Sequence, residues 1–107
     1  FQSYLVRTPH HVILLDSCIG NDKNRPTRPE WHMKSDDRFM RGLAAAGARI
    51  EDIDYVMCSH MHADHVGWNT RLDNGRWVPT FPNARYVFSQ REFNHWQALN
   101  AKSAVLA

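Results

Sequence analysis

Apolar residues along this chain fall into short strand-like runs and one helical stripe, separated by polar connections. Phe1 to Arg7 and Val12 to Asp16 read as two β-strands. Thr8-Pro9-His10-His11 lies between them, and Pro9 marks a turn, so a hairpin is the simplest arrangement, with His10 and His11 solvated in its connection. The run Val12-Ile13-Leu14-Leu15 is continuously apolar, as in a buried strand. Between Asp36 and Ala46 apolar side chains recur at Phe39, Met40, Leu43, Ala44 and Ala46. Asp36 and Asp37 fall in the first turn and Gly47 is a stop, which predicts an amphipathic helix laid over a sheet. Tyr55 to Cys58 reads as the next strand, reached through Ile50 to Asp54, where Glu51 and Asp52 are loop carboxylates. Gly67-Trp68-Asn69 opens a short helix or turn, and Asn74-Gly75 within Leu72 to Pro79 predicts a small hairpin or loop. Ala84 to Ser89 is a further strand, and Gln90 to at least Leu99 a helix. The content is α+β.

Ile19 to Met33 breaks the pattern. With Pro26, Pro29 and many polar residues it suits neither helix nor strand, and it ends on Trp31-His32-Met33. An exposed loop of this kind can form a substrate wall, which makes Trp31 and Met33 candidate pocket residues; pinning the loop to the body is the alternative for Trp31.

Composition narrows the class without naming a chemistry. At 107 residues and 43% hydrophobic content the chain is one globular domain or part of one. Thirteen basic residues are interspersed with eleven acidic ones for a net charge of +2, which suggests neither nucleic-acid nor membrane binding. Cys18 and Cys58 lack zinc-ribbon spacing and a disulfide framework, so they read as inert thiols in a reducing, cytoplasmic setting. The sequence begins inside an apparent strand at Phe1 and runs out within Ala98 to Ala107 without a stop signal. A segment of a longer chain is expected.

The chemistry is concentrated in Ser59-His60-Met61-His62-Ala63-Asp64-His65, directly after the Tyr55 to Cys58 run. Imidazole nitrogen and carboxylate oxygen are donors for zinc, iron, manganese or nickel, and ligands grouped at a strand end converge at little entropic cost. Chance assembly of His-x-His-x-Asp-His from the chain's own seven His and eight Asp is expected on the order of once in 500 such chains. A structural metal would more often recruit thiolates, and the cluster contains no Cys. Asp16, closing the buried run Val12 to Leu15, would be costly there unless paired or hydrogen-bonded. It is read either as an outer partner that orients a ligand or as a turn-capping residue.

The pattern His60-x-His62-x-Asp64-His65 after an apolar strand, followed by Gly67, resembles the signature of the metallo-β-lactamase superfamily. Val12 to Ser17 is similar to that family's second strand ending in Asp, and Ala84 to Ser89 with Glu92 to its next strand and helix. The resemblance spans essentially the whole chain and is most like the lactonase and methyl parathion hydrolase-like branch. It implies the amino-terminal half of an αββα sandwich, with residues 1–107 as part of a single domain. It also implies two divalent metal ions, zinc first with iron or manganese as alternatives, His60 and His62 holding one and Asp64 and His65 the other. Asp64 would also manage a proton, and Asp16 would sit beneath the site. Further ligands would lie downstream; His95, in a helical setting, is not one of them. Trp68 stands where many relatives carry a second Gly, so its indole is expected to narrow the pocket.

A water bridging two such ions approaches neutrality in pKa, and the same ions polarise a carbonyl or phosphoryl group. The expected activity is hydrolysis of a small-molecule lactone, ester, amide or phosphoester by metal-bound hydroxide. No Ser-His-Asp arrangement or phosphate loop points to side-chain nucleophilic catalysis. An iron-containing oxidoreductase of the same fold and a non-catalytic metal-binding module remain as alternatives, and the oligomeric state is open.

Overall fold

A computed structural model of the chain describes residues 2–103. Phe1, expected to open the first strand, and residues 104–107 lie outside the described residues. The hairpin forms as β1 (Tyr4–Arg7) and β2 (Val12–Leu15), antiparallel with Leu5 opposite Leu14. β3 (Tyr55–Met57) and β6 (Arg85–Val87) then add in parallel, giving the order β1-β2-β3-β6. β4 (Thr70–Asp73) and β5 (Arg76–Pro79) make a separate two-stranded hairpin. Its turn places Asn74 and Gly75 at φ 51° and 75°, the left-handed conformations these two residues tolerate best.

Strand register decides which side chains are covered. Leu5, Leu14, Val56 and Tyr86 form one cross-strand row, and helix α1 (Arg38–Ala45) contributes Leu43 to the core built on it with Ala48, Ile53 and Phe81. Leu14, Ile53, Val56 and Phe81 are fully buried, worth about 1.5–3 kcal/mol each in transfer terms. Residues offset by one position face the other way. Of these, Tyr4, Val6, Met57 and Val87 stay exposed, so the second face of the sheet is apolar and open.

Element ends differ from the pattern-based expectation in instructive places. α1 begins at Arg38, two residues late, because the Asp36 carboxylate accepts the Arg38 N–H at 3.1 Å and shapes the approach to the helix. Ile50–Asp52 forms a 3₁₀ turn, with the Asp52 carboxylate accepting the Arg49 N–H at 2.9 Å. β3 ends at Met57, leaving Cys58 just beyond the strand and only partly buried. Gly67–Asn69 is a 3₁₀ turn and α3 runs Gln90–Ser103. The α+β content of the described residues agrees with the metallo-β-lactamase fold. No helix among them is long and apolar enough to cross a membrane.

Candidate metal centre

The motif leaves the C-terminal end of β3 in two parts. Ser59 to His62 is irregular, with His62 in extended conformation, and Ala63–Val66 closes into the one-turn helix α2. Asp64 and His65 therefore stand on a helical turn. The rings of His60 and His62 lie 4.6 Å apart, centroid to centroid, and those of His60 and His65 3.9 Å apart.

Asp16 lies underneath. Its residue is 8% exposed, and three donors meet its carboxylate: the Ser59 N–H at 2.7 Å, the Ser59 hydroxyl at 2.9 Å and His65 Nδ1 at 3.0 Å. Burial disfavours its charge, but the hydrogen bonds from the Ser59 N–H, His65 and the Ser59 hydroxyl outweigh it and hold the carboxyl below its ordinary value. An ionised carboxylate only accepts, so His65 Nδ1 carries the proton of this bond. In the neutral ring, Nε2 then presents a lone pair, and Asp64 Oδ2 stands 3.4 Å from it. Either a second ring proton or a bound cation satisfies this approach of Nε2 to the Asp64 carboxylate. The separation of the two atoms equals the edge of a tetrahedron around zinc, about 3.4 Å for ligand bonds of about 2.1 Å.

The donors fit a divalent ion in kind and in this pairwise spacing. As they stand, no three His, Cys, Asp or Glu side chains among the described residues are grouped to hold one ion. The His60 ring lies near both His62 and His65, and His65 Nε2 faces Asp64.

Backbone contacts lock the underlying loop to the motif. Asp16 N–H donates to Met57 O, Ser17 N–H to His65 O, Gly67 N–H to Cys18 O and Trp68 N–H to Ser17 O, all within 2.8–3.0 Å. The two segments approach so closely that a Cβ on Gly67 would overlap the Ile19 carbonyl. Beyond the lock, the expected exposed loop closes on itself at a neck: Asp22 N–H donates to Lys34 O and Met33 N–H to Lys23 O. Lys23 ties the neck to the β4–β5 hairpin through Thr70 Oγ1 at 2.7 Å and the Trp77 ring at 4.0 Å. Its burial, reinforced by Arg25, pulls the ammonium down to about 8.

The pocket candidates separate. Trp31 lies under the Arg28 guanidinium, 4.8 Å from its ring centroid, and Met33 is half exposed. Trp68 is 8% exposed and stacked on Phe39 at 5.5 Å, because the 3₁₀ turn after Gly67 directs the indole into the core. It lines a cavity of about 830 Å³ with Leu14, Ile19 and Leu43, a lining that includes none of His60, His62, Asp64 and His65.

Residues outside the motif also touch it. Ser59 bridges Asp16 to the imidazoles, and from α3 the Glu92 carboxylate accepts the Met61 N–H at 2.9 Å while Trp96 packs edge-on against His62. The Met61 N–H, followed by the Trp96 indole, holds Glu92 below its ordinary value. The signal available for the helix contact was the four-residue spacing of Glu92 and Trp96, which puts them on one face.

Residues 2–105 match the metallo-beta-lactamase superfamily. The N-acyl homoserine lactonase AttM of Azorhizobium caulinodans is 26% identical over 103 residues, the match covering 86% of this chain and 35% of AttM. Among solved structures, a probable metal-dependent hydrolase from Staphylococcus aureus superposes with TM-score 0.75 at 28% identity, covering 94% of this chain and 36% of that one. AidC, a dizinc quorum-quenching lactonase solved in complex with a product, superposes with TM-score 0.65 at 28% identity, covering 86% and 27%. The chain spans about a third of the length of these relatives. Signature, strand order and comparisons agree: the chain belongs to the metallo-β-lactamase superfamily, on its lactonase-like branch, and corresponds to the amino-terminal portion of that fold.

Proposed function

We propose that residues 1–107 are the amino-terminal part of a single-domain metal-dependent hydrolase with a dinuclear centre. His60 and His62 hold one divalent ion, Asp64 and His65 the other, and zinc is the metal that this nitrogen and oxygen donor set and the dizinc relative favour. The observation that carries the reading is the 3.4 Å separation of His65 Nε2 and Asp64 Oδ2, the spacing of neighbouring ligands on one ion. Bound divalent ions activate water and polarise the bond to be cleaved, which suits a small-molecule lactone or ester first, and an amide or phosphoester by the same chemistry.

The chain's own residues supply the rest. Asp16 keeps the His65 proton on Nδ1 and leaves Nε2 free to bind, while Ser59 spans the Asp16 carboxylate and both neighbouring rings. Asp64 would help hold an ion and is the carboxylate placed to manage a proton of the reaction.

The test uses the full-length protein. Exhaustive chelation should abolish lactone or ester hydrolysis, zinc, cobalt or manganese should restore it, and His62→Ala should lose metal and activity together. Hydrolysis that persists after verified metal removal would overturn the proposal. Metal analysis showing iron, with oxygen consumption in place of hydrolysis, would move the chain to the oxidoreductase alternative.

A further inference from the structure

We propose that Glu92 and Trp96 are positioning residues that clamp the His60-Met61-His62 segment from helix α3, an inference that rests on the metal-centre reading above. The two are one helical turn apart, so they share a face of α3. A single carboxylate oxygen, Glu92 Oε1, accepts both the Met61 N–H at 2.9 Å and the Trp96 Nε1–H at 3.1 Å. The indole held in this way meets the His62 ring edge to face, with centroids 5.3 Å apart and planes at 79°.

The location of the captured amide gives the clamp its meaning. Met61 lies between the two imidazoles, on backbone that belongs to neither β3 nor α2, and an N–H in that position needs an acceptor. The His60 and His62 rings lie 4.6 Å apart on the residues flanking Met61, so fixing the Met61 backbone holds the two rings together. Trp96 then limits the swing of the His62 ring. Neither Glu92 nor Trp96 is given a place among the ligands; each acts through the segment it holds. The consequence is that metal affinity depends on a helix about thirty residues downstream of the motif.

The experiment compares wild-type full-length protein with Glu92→Ala, Glu92→Gln and Trp96→Phe. The readouts are zinc affinity by competition with a chromophoric chelator, the absorption spectrum of the cobalt form, and hydrogen exchange of the Met61 amide in metal-free protein. Glu92→Ala should weaken zinc binding by about 10–100-fold, shift the cobalt spectrum and speed Met61 exchange. Glu92→Gln keeps a carbonyl acceptor and should stay within roughly threefold of wild type. Trp96→Phe, which keeps a ring but loses the N–H, should fall between them.

Leu43→Ala serves as the control: it destabilises the core and should leave zinc affinity unchanged, separating a positioning effect from general weakening of the fold. If Glu92→Ala fails to fold, the contrast between Glu92→Gln and Trp96→Phe carries the test. Wild-type protein that takes up no zinc would overturn the metal reading and this inference with it. Wild-type protein that binds zinc, with variant affinities and Met61 exchange unchanged, would overturn this inference alone.

Discussion

Replacing Asp16 with Asn removes one charge and almost no volume, and the geometry around the carboxylate fixes the expected outcome. Oδ1 of Asp16 accepts the Ser59 N–H, while Oδ2 accepts the Ser59 hydroxyl and His65 Nδ1–H. An amide offers one acceptor atom and one donor atom where the carboxylate offers two acceptors. If its oxygen faces the Ser59 N–H, its NH₂ points at His65 Nδ1, which must become an acceptor; the ring proton moves to Nε2, where a metal would bind. In the reverse orientation the NH₂ meets the Ser59 N–H, donor against donor, in a nearly closed site. Backbone strain does not confuse the comparison, because Asn tolerates the left-handed φ of 61° that Asp16 adopts. Zinc affinity should fall by about 10–100-fold. Metal-free stability should fall by about 1–3 kcal/mol through the lost charge-assisted bonds. The pH dependence has a definite sign: the folded carboxyl titrates below the unfolded value of 3.8, so its contribution is complete above that pH and disappears as pH falls through the lower, folded value. Urea unfolding of wild-type and Asp16→Asn protein should therefore differ throughout the range above about pH 4 and converge only as pH falls through the lower, folded value. Unchanged zinc affinity in a folded variant, or a stability gap that does not narrow in acid, would refute the assigned tautomer and the role of Asp16 together.

Gly67→Ala should prevent stable folding, since its Cβ would overlap the Ile19 carbonyl, whereas Gly42→Ala, on an open stretch of α1 with nothing within 4 Å, should raise stability by about 0.5–1 kcal/mol; thermal melting reads both. Trp68→Ala should cost about 3–5 kcal/mol by emptying the stack on Phe39, and a melting temperature near wild type would contradict its assignment to the core. Residues 1–107 expressed alone should self-associate through the open sheet face around Tyr4, Val6, Met57 and Val87, while a chain extended through the rest of the domain should not; light scattering distinguishes them.

Those parts of the fold that local pattern encodes were legible in the sequence. Val12 to Leu15 and Tyr55 to Met57 announce themselves as short apolar runs, and Asn74-Gly75 specifies its own turn, because backbone preference and burial act there over a few adjacent residues. The division of the motif between an irregular segment and α2 was not legible: four residues are too few for helical periodicity to register. The direction of Trp68 depends on Phe39, and the capture of the Met61 amide depends on Glu92, partners far away in sequence with no local mark. Asp16 is the intermediate case. The cost of burying a carboxylate signalled that donors must surround it, but only the fold shows that Ser59 and His65 are those donors.

The neck at Asp22–Lys34 and Lys23–Met33 makes residues 24–32 a cassette. Residues 16–20 are pinned to the motif and to Gly67 and Trp68, so grafting upstream of the neck would disturb the His60 to His65 segment itself. Within the neck the chain ends are already held together, and doubling the loop length adds only about 0.6 kcal/mol of closure entropy. An engineer could therefore exchange or lengthen the segment carrying Trp31 and His32 without moving the His60 to His65 motif, provided Lys23 with its Thr70 anchor and Arg25, which donates to Ile19 O at 2.9 Å, are kept.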